Sequence, residues 1–151
     1  MTLRPHSELV AVAWLRDVPG VPDGAVGTTL PGDASKWPDG FLQVSVVGGD
    51  KDRDIPVHKP VLQIDAWYAN QGSKPSWGRA NQLLEMVAAH CWSDRVGEPS
   101  PSQRPVTLPS GYQGARVQAA MALTDPRRVP ADEARYAHYE MDLALHWVAI
   151  P

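Results

Sequence analysis

The stretch Pro60–Tyr68 does most to limit what this chain can fold into. Leu62, Ile64, Ala66 and Tyr68 alternate with Val61, Gln63, Asp65 and Trp67, the period of a strand with one covered face. Shortly after it the period changes. Over Arg79–Trp92, the residues Ala80, Leu83, Leu84, Val87, Ala88 and Cys91 recur at i, i+3, i+4, i+7, i+8 and i+11, a narrow apolar helical stripe. Burying its three larger aliphatics contributes roughly 5–9 kcal/mol before ordering entropy is subtracted. Lys74-Pro75-Ser76 breaks the chain between the two periods, Arg95 favours the negative helix end, and Gly97 suits the position just beyond it.

The remaining elements are arranged around this unit. A first helix is expected over Ser7–Asp17, with Ser7 as N-cap, Leu9, Val10, Ala13 and Trp14 on one face, and Pro19-Gly20 as its stop. Gly24–Leu30 reads as a short strand and Phe41–Val47 as a better one, with Leu42, Val44 and Val46 on one side. Pro31–Asp39 is a turn-rich loop carrying Trp37, and Gly48–Asp54 a very polar connection. Glu98–Gly114 is proline-rich, with Val106-Thr107-Leu108 as its one strand-like interlude. In Ala115–Thr124 the alternation puts Ala115, Val117, Ala119, Met121 and Leu123 together. In Tyr136–Ala149 it turns Ala137, Tyr139, Met141, Leu143, Leu145 and Trp147 to the core and His138, Glu140, Asp142 and His146 away. Asp125–Arg135 is too long and charged for a tight hairpin. The expected fold is therefore α+β in the order α-β-β-β-α-β-β: a mainly antiparallel sheet with two helices packed on one face, as a single domain over residues 1–151.

Fourteen basic and seventeen acidic side chains leave a formal charge of −3, the wrong balance for a nucleic-acid binder. Cys91 is the one cysteine, so neither a disulfide framework nor a thiolate cluster is possible, and a buried structural thiol is expected. No apolar run approaches the roughly 18 residues of a membrane span, and Met1–Glu8 turns polar too early for a secretion signal. The expectation is an intracellular protein, or one assembled from an intracellular pool.

Three motif-like patterns fail on their chemistry. Gly27-Thr28-Thr29-Leu30-Pro31-Gly32 has phosphate-loop spacing, but Asp33-Ala34 follows where Lys-Ser/Thr belongs, and the carboxylate would repel phosphate. Asp50, Asp52 and Asp54 copy the opening of a calcium loop, yet Ile55 stands at the glycine position, Val61 at the closing glutamate, and Lys51 and Arg53 offset the charge. His138, Glu140 and Asp142 share a strand face at spacings of about 7 Å, which suit a metal only with help from elsewhere. A solvated or interfacial face is the reading taken, with Asp65 placed to pair with such a histidine. Six tryptophans are many for this length. Trp14 and Trp147 fit core faces and Trp92 a helix margin, whereas Trp37, Trp67 and Trp77 lie in loops or on the non-core face, where aromatic residues either lid a core or anchor partners.

Pro60-Val61-Leu62-Gln63-Ile64-Asp65-Ala66-Trp67-Tyr68-Ala69 followed by Arg79-Ala80-Asn81-Gln82-Leu83-Leu84-Glu85-Met86-Val87 resembles the central strand–helix unit of tail terminator proteins from long-tailed bacteriophages. The closing Ala134-Arg135-Tyr136-Ala137-His138-Tyr139-Glu140-Met141-Asp142-Leu143 is similar to the last strand of the same group, and the opening helix with Trp14-Leu15 and the Pro19–Val26 turn also fit. The resemblance implies a non-enzymatic virion protein without cofactor. It would form a homo-oligomeric ring, commonly a hexamer, at the head-proximal end of the tail tube. Its partners would be itself, the tail tube protein and the head–tail connector or head-closure protein, with DNA passing through unread and no membrane involved. It would be found in the tail or neck of the virion, and in host cytoplasm during assembly. An acidic lumen, which would keep DNA from adhering, agrees with the net charge; a basic channel in the ring would contradict it.

Candidate partner-binding residues are Asp50, Asp52, Arg53 and Asp54 in the polar connection, Trp67 and Trp77, Arg127 and Arg128 in the Asp125–Arg135 arm, and His138 and Glu140 on the strand face. The Pro99–Pro109 loop is a further candidate. Rival readings are another phage neck protein (head closure or tail completion), a small metal-dependent hydrolase using His138, Glu140 and Asp142, and a monomeric cytoplasmic adaptor.

Overall fold

A computed structural model describes residues 1–70, 72, 74–92, 100–130 and 136–151. The order is α1 (Ser7–Arg16), β1 (Val26–Gly27), a 3₁₀ turn (Ala34–Lys36), β2 (Phe41–Lys51), β3 (His58–Ala69), α2 (Trp77–His90), β4 (Arg104–Val106), β5 (Ala115–Ala122), β6 (Arg127–Arg128) and β7 (Tyr136–Ala149). The strands form one sheet in the order β1-β2-β3-β7-β5-β4, with β6 also paired to β7. Every pairing between these strands is antiparallel except β1 with β2. The fold is α+β, with strands β1, β4 and β6 shorter than the alternation could resolve.

The central pair behaves as its period requires. Leu62, Ile64, Ala66 and Tyr68 of β3 and Ala137, Met141, Leu143, Leu145 and Trp147 of β7 are buried in one cluster, together with Val10–Leu15 of α1 and Ala80, Leu83, Leu84 and Val87 of α2. Both helices therefore contribute to the same core. Gly40 is held at φ +98, where a Cβ would stand 2.5 Å from Leu83 Cδ1, so only glycine lets the chain enter β2 beneath α2.

Several boundaries move. The N-cap of α1 is His6, whose Nδ1 accepts from Leu9 N; Ser7 is instead the first helical residue and its Oγ accepts from Trp147 Nε1. The second helix starts at Trp77, two residues before Arg79, which puts Trp77 on a helix packed against the core and not in a loop. It ends at His90, so Cys91 and Trp92 lie past the last turn; Arg95 and Gly97 lie outside the described residues. Cys91 is half-buried, and burial pushes its thiol up to about 11. Trp37, in its loop, is 1% exposed and donates through Nε1 to Pro31 O: it lids the core.

Two β-bulges account for the larger departures. Val46 faces Leu62 but Gly48 faces Val61, so Val47 is an extra residue. Gln118 is likewise extra between Val117, opposite Trp147, and Ala119, opposite His146. An extra residue reverses the facing of everything beyond it. Ala120 is consequently buried, while Met121 and Leu123, expected with the core, point to solvent.

Candidate functional site

The sheet face turned away from the helices carries the polar alternates of β3 and β7, and the register brings them together. Asp65 lies opposite Glu140 and Trp67 opposite His138. His138 Nε2 is 2.7 Å from Asp65 Oδ1, the pairing its strand position suggested. The His138 ring is stacked flat on Trp67, with centroids 3.7 Å apart and planes at 12°. Trp67 Nε1 donates to Gln43 Oε1 at 3.1 Å, and Gln63 Nε2 donates to both Asp65 oxygens at 3.2 Å. A carboxylate on an uncovered face is thus 6% exposed because its neighbours roof it, and each of those neighbours gains a bond by doing so.

The next rung is built around Arg127. Its Nε donates to Glu140 Oε1 at 2.8 Å, its Nη2 to Asp142 Oδ1 at 3.4 Å and its Nη1 to Thr124 Oγ1 at 3.1 Å. These carboxylates, Glu140 first, raise the guanidinium's pKa further. Short β6 makes this possible: Arg127 pairs with Glu140 and Arg128 with Tyr139, on the flank of β7 that β5 occupies farther along. Arg128 faces the opposite side and sits 4.0 Å from the centre of the Trp77 ring, tying the start of α2 to the sheet.

His138, Glu140 and Asp142 are therefore not a converging set. Their shared strand face is real, but His138 turns to Asp65 while Glu140 and Asp142 clasp Arg127. Among the described residues, no three His, Cys, Asp or Glu side chains stand as a metal site needs.

The Asp50–Asp54 candidates lie elsewhere. β2 and β3 stay paired out to Lys51 opposite His58, so Gly48–Lys51 is strand and not the loop expected. His58 belongs to that strand, stacked 4.0 Å from Trp147. At the tip, Asp52 Oδ1 accepts from Asp54 N and Ile55 N at 2.9 and 3.2 Å, and Oδ2 from Lys59 Nζ at 3.2 Å. These bonds, the Asp54 amide first, hold Asp52 below the usual carboxylate range. An Asx-type turn ordered from within leaves Asp50, Arg53, Asp54 and Ile55 exposed. Beside it, a cleft of about 630 Å³ is lined by Arg4, Lys51, Asp52, His58, Gln113 and Trp147.

The Pro99–Pro109 candidate is largely anchored. Arg104 Nη2 donates to Trp14 O at 2.6 Å and Nη1 reaches His90 Nε2, while Ser102, 1% exposed, accepts from Trp14 Nε1 through its carbonyl. Pro99 and residues 131–135 of the charged arm lie outside the described residues.

Three histidines sit below the ordinary value of 6.5, each chiefly through burial and then through a cation: His58 by Lys51, His90 by Arg104, His146 by Lys59. Below about pH 6.5 the unfolded chain therefore takes up protons that the folded one refuses. Stability should fall as pH drops from about 7 toward 5, read as a lower Tm at constant ionic strength. His90→Gln should flatten the slope; a slope unchanged by all three glutamine substitutions would assign it to other groups.

Sequence reasoning had located Trp67, His138, Glu140 and Asp65 on one face. It missed Gln43, Thr124 and the role of Arg127, which depend on register and on the two-residue β6, and it missed the exposed apolar residues that the bulges create. No helix is long and apolar enough to cross a membrane among the described residues. No protein-family model matches the chain, and no curated protein matches it either.

Proposed function

We propose that this chain is a tail-terminator-like virion protein, a ring-forming collar at the head-proximal end of a phage tail tube that stops tube growth and offers a surface to the head connector. One observation carries the reading. The stretches that resemble the family, β3, α2 and the described part of the closing strand β7, form one contiguous unit: β3 pairs with β7 from His58–Trp147 to Ala69–Tyr136, and α2 packs into the core that both strands face. The polar face supports it further, since Asp65 is engaged with His138, and Glu140 and Asp142 with Arg127, in the manner of a scaffold.

Such a collar acts by fit. One surface matches the growing end of the tube, and the other does not template a further tube subunit. The ordered β2–β3 tip suits docking, because little of its backbone remains to be fixed on contact. Electron microscopy of purified protein mixed with tail tubes tests the proposal: rings at one end and arrested elongation are expected. Protein that leaves tube ends bare and decorates filled heads would instead mark a head-closure component.

A further inference from the structure

We propose that the cleft beside the β2–β3 tip binds an acidic peptide segment of another protein, one that carries carboxylates and an apolar side chain close together. At about 630 Å³ the cleft has the volume of a ligand site, and main-chain bonds hold its sides in place. Leu3 N donates to Gly111 O and Gln113 N to Leu3 O, each at 2.8 Å, which fixes Arg4 and Gln113 at the cleft from the N-terminal arm. Across from the arm, Asp52 N donates to Val57 O at 3.2 Å and Val57 N to Ile55 O at 2.8 Å, which shapes the tip that supplies Lys51, Ile55 and Pro56. His58 joins the lining while stacked on Trp147. A site formed in advance loses little freedom when it is filled.

The charge of the cleft is the reverse of the chain's. Arg4 and Lys51 are exposed, and among the described residues neither side chain has a hydrogen bond or ion pair. The one carboxylate in the lining, Asp52, is already committed: Oδ1 accepts from two backbone amides and Oδ2 from Lys59. A chain of formal charge −3 thus offers two free cations here and no free anion. Lys51 already acts inside the cleft, since after burial it is the cause that holds His58 below its ordinary value. The cations come from separate segments, and Ile55, 54% exposed, lines the cleft with them. That mixture suits a chain with spaced carboxylates and an apolar side chain, the Arg4 fork taking one carboxylate and Lys51 another. A nucleic acid fits less well. Asp50 and Asp54 stand exposed on the same hairpin, outside the lining, where they repel an unbroken line of phosphates but leave a short acidic segment its two contacts.

The site lies within one copy of the chain, so it stands apart from the collar reading. The test is fluorescence anisotropy of the full chain with a dye-labelled peptide that alternates glutamate pairs with leucine, beside the same peptide with glutamine for glutamate and a short labelled oligothymidylate. Saturable binding of the acidic peptide alone is expected. Arg4→Gln and Lys51→Gln should each weaken it roughly tenfold with the thermal transition unchanged, because neither side chain bonds within the described fold. Arg53→Gln, on the tip but outside the lining, should leave affinity within about twofold. Equal binding of the glutamine peptide, no saturable binding, or an equal loss at Arg53 and Lys51 overturns the proposal. Tighter binding of the oligothymidylate overturns it in favour of a nucleic-acid site. Rings at tube ends with no peptide bound would remove the cleft and keep the collar; peptide bound by protein that ignores tubes would do the opposite.

Discussion

Replacing Trp14 with alanine should cost about 3–5 kcal/mol of stability, the largest loss expected from any single truncation in the chain. The ring is fully buried, its Nε1 donates to Ser102 O at 3.1 Å, and the Arg104 guanidinium lies 5.2 Å over it. Alanine would leave a cavity between α1 and the segment leading to β4, and would also strand the carbonyl of a buried serine. For a chain of this length that corresponds to a fall in Tm of roughly 6–20 °C. Trp14→Phe keeps most of the packing and loses the bond, for about 1–2 kcal/mol. Trp92→Ala, at a site 72% exposed, should stay within about 0.5 kcal/mol. Urea unfolding followed by fluorescence measures all three. Equal losses at Trp14 and Trp92 would refute the account of how β4 is anchored.

His138→Ala should cost about 2–4 kcal/mol, more than Asp65→Asn, at about 1–2 kcal/mol. The asymmetry comes from what each change abandons. Without His138, a carboxylate that is 6% exposed keeps only Gln63 among the described residues, and Trp67 loses the ring it lies on. Without the charge on Asp65, an amide can still meet His138. A double-mutant cycle should give a coupling of at least about 1 kcal/mol. Independent losses would mean that the roofed carboxylate contributes nothing to holding β3 beside β7.

The central unit was legible because its periods are unambiguous. In β3 and β7 every second position, from Leu62 to Tyr68 and from Ala137 to Trp147, is apolar or aromatic, and the stripe from Ala80 to Val87 has one helical reading. The pairing of Asp65 with His138 followed from the facing of two strands, so half of the polar face could be foreseen. The Arg127 clasp could not, since it requires a two-residue strand to find its place on β7. Extended pairing out to Lys51 was hidden by composition: Gly48, Gly49 and Asp50 are poor strand formers individually, and their partners across the hairpin override that preference. The cap at His6 and the early start of α2 reflect contacts made elsewhere, by Ser7 to Trp147 and by Trp77 to Arg128.

Gln118 has a consequence far larger than its size. It shifts the phase of β5 by one position against β7, and so decides whether Met121 and Leu123 meet water or the interior. Were β5 to pair straight through with Gln118 kept and no residue left over, the plain alternation would fold the two large side chains inward and turn Ala120 and Ala122 outward. The interior would then be overfilled and the flank smooth. A solitary, strained molecule and a sociable one are separated here by a single peptide unit.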